Sequence, residues 1–307
     1  MDFDFDAPIK RRGTASYKCD MYPDDVLPLW VADMDFASPP PVVAALEARV
    51  RHGVFGYSLV PDSLVEAIAA HLERRYGWGI EPDWIVWLPS VVPGLNLAGR
   101  AFAAAGEAVL TLTPVYPPFL EAPGQHDRRL VTIPTEVRDE RWQLPLDAME
   151  AAVTPDSRVL LFCHPHNPLG RVWRRDEVEA VVAFCRRHDL VLVSDEIHCD
   201  LILDELAHRP AALACPGDAD RIVTLMSPSK TFNLPGLNFA FAIVADAELR
   251  RRFTRPGEGI LPFPGCFAVT AAEAAYREGG EWHDGLLGYL RGNRDLVESF
   301  VAGGSRS

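Results

Sequence analysis

Three lysines occur in the chain, Lys10, Lys18 and Lys230, and arginine carries the rest of its permanent side-chain positive charge. Lys10 and Lys18 stand near the start, whereas Lys230 stands alone in Met226 to Ala240, MSPSKTFNLPGLNFA. A guanidinium keeps its proton, but an amine withdrawn from water can lose it and attack a carbonyl. Lys230 is therefore the candidate nucleophile, and Schiff-base formation is the chemistry it offers. The plain alternative is an ordinary loop lysine.

Other residues that could do chemistry sit in similar places. Asp195 closes an apolar run in SDEIHCD, Asn167 lies in the turn HPHNPLG, and Tyr116 stands among the prolines of TPVYPPF. Such an acid either caps a helix or serves a site, and an aromatic held rigid beyond a strand can stack on a flat ring. Pro89 to Gly94 leads from a strand straight into a helix, whose free N–H groups and dipole suit a phosphate, with Ser90 as a further donor. Neither GxGxxG nor GxxxxGK is present. Trp30, Asp33, Asp35 and Phe36 fall in an irregular segment that could line a site or merely dock. Tyr57 lies in the loop GVFGYSLVPD and could equally be a core aromatic. His164 and His166 lack a partner cluster with zinc spacing, so no metal is expected.

These residues need a scaffold. Apolar runs at Trp84 to Leu88, Ala108 to Leu112, Arg129 to Ile133, Arg158 to Cys163, Leu190 to Val193, Ile222 to Met226 and Phe239 to Val244 read as strands. Helical spacing appears at Pro41 to Arg51, stopped by Gly53, then from Asp62 or Ser63, from the turn after Leu88 to about Ala105, and at Arg175 to His188 and Ala247 to Phe253. The last helical stretches, Ala268 to Arg277 and Trp282 to Phe300, are read as interrupted by glycines. Alternating strand and helix without repeat predicts a mostly parallel sheet with helices on both faces. In such sheets ligands bind at the carboxyl ends of the strands, where Tyr116, Asn167, Asp195 and Lys230 fall. The expected division is an N-terminal arm and substrate-side loop over 1–40, a large α/β domain over 41–255, and a connection with helices over 256–307.

Composition narrows the classes. The chain has 307 residues, 48% of them hydrophobic, enough for a large core. A net charge of -13 with interspersed signs argues against a nucleic-acid surface, and no apolar stretch reads as a membrane span. Six cysteines without a CxxC pair, behind an N-terminus that lacks a signal-peptide pattern, point to a reducing cytoplasm.

A phosphate turn, an aromatic, an amide, an acid and an amine at neighbouring strand ends match pyridoxal 5'-phosphate, a cofactor with a phosphate, a flat pyridine ring, a phenolic oxygen and an aldehyde. The sequence resembles the carbon–sulfur lyase (cystathionine β-lyase) branch of the class I/II aminotransferase superfamily from about Lys10 to Val301. The matching stretches are LPLWVADMDF, GVFGY, VVPGLN, TPVYPPF, HPHNPLGRVW, VSDEIHCDL, SPSKTFNLPGL and EAAYREGGEW. The resemblance implies the aminotransferase-like fold, a Schiff base on Lys230, Asp195 at the pyridine nitrogen, Asn167 and His198 at the phenolic oxygen, and Tyr116 stacked on the ring. It also implies Val91, Val92 and Ser227 at the phosphate, with Tyr57 reaching the neighbouring subunit's phosphate in a homodimer. Trp30, Ala32 and Asp33 would lie near the substrate. Lys230 would take the α-proton of cystathionine or a related cysteine thioether, releasing thiol, pyruvate and ammonia. An aminotransferase, or a cofactor-binding protein with little catalysis, is the alternative.

Several positions depart from the superfamily pattern. Asn238 stands eight residues after the lysine, where an arginine is usual, a difference the lyase branch often shares; Ala240 replaces a glycine, as does Ser90, and Pro235 replaces a smaller residue. Family members also continue into a small C-terminal domain whose arginine clamps the substrate carboxylate. That domain is expected to be largely missing here, which leaves Arg11 or Arg12 as alternative holders.

Overall fold

The computed structural model describes residues 3–304. Apolar runs bounded by Gly, Pro or polar turns form its strands. In chain order these are β1 (Ile85–Leu88), β2 (Ala108–Thr113), β3 (Arg129–Pro134), a separate exposed hairpin of β4 (Glu136–Arg138) and β5 (Arg141–Gln143), then β6 (Ser157–Cys163), β7 (Val191–Asp195), β8 (Ile222–Met226) and β9 (Ala240–Ile243). All but the hairpin join one seven-stranded sheet in the order β1-β9-β8-β7-β6-β2-β3. Its pairs are parallel except that β9 runs against both β1 and β8. Each strand expected from the sequence is therefore present. The sequence does not signal the hairpin, because its three-residue strands, with Val137 and Trp142 among charged and polar neighbours, are too short for an apolar period.

The helices follow the same local logic. They are α1 (Tyr17–Asp20), α2 (Pro40–His52), α3 (Asp62–Tyr76), α4 (Val91–Phe102), α5 (Pro118–Gly124), α6 (Leu146–Ala152), α7 (Arg175–Arg187), α8 (Ala211–Ala214), α9 (Pro228–Thr231), α10 (Ala247–Thr254), α11 (Cys266–Glu278) and α12 (Gly280–Gly304). Gly53 ends α2 at φ 76°, a left-handed value that a Cβ disfavours. The proline-stiffened loop after β2 gives way to α5 at Pro118, because proline fits the first turn of a helix.

The expected interruption by glycines is corrected: α12 runs unbroken through Gly285, Gly288 and Gly292. Each glycine costs a helix up to about 1 kcal/mol. Packing outweighs that cost, since Trp282, Leu286 and Leu287 are buried, and a Cβ on Gly285 would lie 3.3 Å from the Phe3 ring.

Alternation along the strands splits the core between two faces. Val109, Leu161, Val193 and Leu225 pack with α4, α5 and α10, whereas Leu110, Leu160, Leu192 and Ile222 pack with α7 and α8. A third cluster joins α2, α3 and α11 to β9. Helix α4 approaches the sheet closely at Gly94, where a Cβ would lie 2.9 Å from Leu225 Cδ2. Among the described residues no helix is long and apolar enough to cross a membrane.

Candidate active site

Because β1, β2, β6, β7 and β8 point the same way, the loops at their C-terminal ends share one edge of the sheet. Those loops carry Ser90 to Val92, Tyr116, Asn167, Asp195 with His198, and Ser227 with Lys230. Main-chain bonds tie neighbouring loops together: Tyr116 N–H to the Asn167 carbonyl at 3.1 Å, His164 N–H to Asp195 at 2.9 Å, and Glu196 N–H to Leu225 at 2.8 Å. The parallel sheet thus gathers side chains separated by more than a hundred residues.

Three buried acids stand at the end of β7 and just beyond it, and their partners separate their roles. Glu196 accepts from the Ser194 hydroxyl at 2.8 Å and the Ala211 N–H at 3.0 Å, and meets His208 Nε2 at 2.7 Å. Asp200 meets His71, Tyr76 and Thr231. Asp195 is as buried as these, but among the described residues its carboxylate accepts one hydrogen bond, from the Ile197 N–H at 3.1 Å. Burial pushes its pKa up to about 7, with the Ile197 bond and Lys230 opposing and Glu196 reinforcing. A protonated pyridine nitrogen beside it would supply the missing partner. Asp195 therefore fits the cofactor on its own electrostatics.

Lys230 sits on α9, a single turn begun by Ser227, whose Oγ accepts from the Ser229 N–H at 3.1 Å and donates to the Phe239 carbonyl at 2.6 Å. The lysine amine donates to the Ala32 carbonyl at 3.0 Å. Burial lowers its pKa, while Asp33 and Asp195 oppose that shift. Desolvation thus moves the amine toward the neutral form a nucleophile or base requires.

The N-terminal segment is pinned over this turn by a residue the sequence reading did not single out. Asn233 accepts from the Met34 N–H at 3.0 Å and donates to the Met34 and Phe36 carbonyls at 3.1 and 2.8 Å. Asp33 pairs with Arg11, which also reaches Asp35, and Lys18 binds Asp35 at 2.7 Å. Arg12 is spent on the carbonyls of Cys19, Tyr22, Pro23 and Val26 and on Asp24. Both arginines considered as holders of a substrate carboxylate are thus engaged within the arm. Trp30 donates to the Lys18 carbonyl at 3.1 Å and meets Tyr17 and Tyr22 edge-on.

The remaining expected residues sort by exposure. Val91 and Val92 open α4, and Ser90 gives that helix no side-chain cap, so these first-turn N–H groups stay available to an anion. Tyr116 is part-exposed at the mouth, and burial, with Asp195 nearby, raises its pKa. Burial and the Lys230 charge lower His198 to about 4, so its ring is neutral at physiological pH. A cleft of about 600 Å³ opens beside Asn167 and His198, bounded by Arg171, Leu201 and Arg294. Tyr57 is fully exposed, which removes the core-aromatic alternative. His164 and His166 are buried and bonded through Nε2 to the Arg209 and Pro114 carbonyls, each at 3.0 Å.

A parallel sheet with a desolvated lysine, a partner-seeking acid and a helix N-terminus on one edge defines a pyridoxal-phosphate enzyme of the aminotransferase fold. The family model for aminotransferase class I and II matches residues 24–298, and the chain belongs to that family. It is 37% identical to cystathionine beta-lyase PatB of Bacillus subtilis (strain 168) over 308 aligned positions, covering 97% of this chain and 79% of the relative. Among solved structures, OvoB superposes with a TM-score of 0.93 at 45% identity, covering 96% of this chain and 78% of that one. The PLP-bound C-S lyase from Staphylococcus hominis superposes with a TM-score of 0.91 at 30% identity, covering 98% and 77%.

Proposed function

We propose that the chain is a pyridoxal-phosphate-dependent carbon–sulfur β-lyase that cleaves cystathionine or a related cysteine thioether to a thiol, pyruvate and ammonia. The observation that carries this reading is the desolvated Lys230 amine on the same strand-end surface as the partner-poor Asp195. Relatives named as cystathionine β-lyase and C-S lyase at 30–37% identity support the branch.

The bound cofactor supplies an aldehyde for the amino group and a ring that takes up the electron pair left when the substrate's Cα–H bond breaks. Asp195 would keep a proton on the ring nitrogen. Asn167 and His198 would hold the phenolic oxygen, and Tyr116 would cover the ring. The N–H groups of Val91 and Val92 would hold the phosphate, and Ser227 would join them if its hydroxyl turned from the Phe239 carbonyl. Lys230, whose burial favours the neutral amine and whose amine lies 3.0 Å from the Ala32 carbonyl, would accept the α-proton beside Trp30, Ala32 and Asp33. With the α-proton on Lys230, the thiolate leaves from the β-carbon.

The active unit is a homodimer in which Tyr57 reaches the neighbouring subunit's phosphate. Supporting this, Leu27, Leu29, Val54, Phe55, Tyr57 and Leu59 are all exposed in the single chain. The six free cysteines fit the cytoplasm.

The test is to reconstitute the protein with pyridoxal phosphate, add L-cystathionine, and follow thiol and pyruvate together. Equal amounts of both support the lyase. A keto acid that retains the thioether, with no thiol, overturns it in favour of transamination.

A further inference from the structure

Asp200 is buried and has no place in the chemistry just described, yet it is the most heavily partnered acid near the site. Its carboxylate accepts from the Tyr76 hydroxyl at 2.5 Å and the Thr231 hydroxyl at 3.1 Å, and meets His71 Nε2 at 3.1 Å. Arg75 stands 3.8 Å away, and His283 Nε2 lies 2.7 Å from the Asp200 carbonyl. Burial works against the charge, but the charge and hydrogen bond of His71, then His283 and Tyr76, outweigh it and hold the carboxyl well below the usual carboxylate range. A fixed anion thus joins α3, α9 and α12 to the loop after β7.

Two features of that junction bear on the reaction. Thr231 directly follows Lys230 in α9, which at four residues has too few internal bonds to fix its own orientation. Its start is held by Ser227 and its end by the Thr231–Asp200 bond. Asp200 also lies in the segment that carries Asp195 and His198, closed by Cys199 N–H to Glu196 O and Leu201 N–H to His198 O, each at 3.0 Å. One carboxylate therefore sets the turn bearing the amine against the loop bearing the ring-binding groups.

We propose that Asp200 is a positioning residue for this reaction, acting through Thr231 to hold the Lys230 amine at a fixed place relative to Asp195 and His198. The proposal rests on the lyase reading for its kinetic consequence, but not for its geometry. Small misplacements of a reacting group cost turnover more than binding.

Thr231→Val removes one hydrogen bond and leaves His71 and Tyr76 on Asp200; Thr231→Ser retains it. The first readout is trace acetylation of Lys230 against pH in the cofactor-free protein, which reports the amine's own titration among Asp33, Asp195 and His198. The second is kcat and KM of the reconstituted enzyme with L-cystathionine. In Thr231→Val the labelling midpoint rises toward that of an ordinary lysine as water reaches the amine, kcat falls about tenfold, KM stays within about twofold, and Thr231→Ser restores both. Asp200→Asn acts in the same direction; if it does not fold, Thr231→Val decides alone. An unchanged midpoint and kcat in Thr231→Val, or a lowered melting temperature with an unchanged midpoint, overturns the proposal. If the wild-type protein cleaves no thioether, the lyase reading fails, while the labelling contrast still decides whether Asp200 positions the amine.

Discussion

The Lys230 amine donates to the Ala32 carbonyl at 3.0 Å, bridging 198 positions of sequence. The partner of the candidate nucleophile is thus a main-chain atom of the N-terminal segment, not a carboxylate. A neutral acceptor leaves the amine free to lose its proton, which a tight ion pair would oppose.

Lys230→Ala and Lys230→Arg should both abolish covalent capture. Borohydride treatment of the reconstituted wild-type protein fixes a pyridoxyl group on the peptide containing Lys230, and neither variant gains one. Turnover falls by about 10²–10⁴-fold or more, because arginine keeps the charge but can neither form the imine nor accept the α-proton. Mass spectrometry of the reduced protein reads the first effect, and thiol release the second.

Asp195 makes the cofactor-free protein sensitive to pH. Its folded pKa of about 7 lies above the unfolded value, so its contribution is fully present below the unfolded pKa and lost as pH rises through about 7. Asn cannot ionise, so Asp195→Asn should flatten the fall in stability between about pH 5 and about pH 8, a tenfold change in acidity being worth about 1.4 kcal/mol. Urea midpoints at the two pH values check this. The same variant should lose turnover once reconstituted, because an amide cannot hold the ring proton.

The proposed reach of Tyr57 across a dimer is tested with hybrids. A dimer of one Tyr57→Ala chain and one Lys230→Ala chain has one intact site if Tyr57 serves its neighbour, and none if it serves its own chain. Mixing the two inactive or weakened variants should therefore recover about half of the wild-type activity per dimer formed. Purification of the hybrid through two affinity tags, followed by thiol release, provides the measurement.

Asn233 pins the segment that carries Ala32 and Asp33, and it does so at φ 55°. Asn233→Ala loses three hydrogen bonds and keeps the left-handed strain, so about 2–3 kcal/mol of stability should go. Asn233→Gly loses the same bonds without the strain and should be less destabilised. In both, KM should rise as the arm loosens over the site. Urea unfolding and steady-state kinetics separate the two effects.

Much of this molecule was legible without coordinates, for local reasons. Strand and helix periods are written in neighbouring residues, so apolar spacing alone marks the seven sheet strands and the main helices. Lys230 stands out as a candidate in the sequence because amine chemistry has one candidate residue type and the chain places one such residue after a buried strand. What the tertiary structure alone decided concerns partners distant in sequence. It inserted β9 antiparallel between β1 and β8, carried α12 through its glycines against the Phe3 side, and occupied Arg11 with Asp33. It also told apart Asp195, Glu196 and Asp200, which the sequence presents as three acids in one short run. Burial and spacing make them alike; their difference lies in His208, His71, Tyr76 and Thr231, which fill two of the carboxylates, while Asp195 accepts only from the Ile197 N–H among the described residues. Hydrogen-bond partners are set by packing between elements, and no local period encodes them.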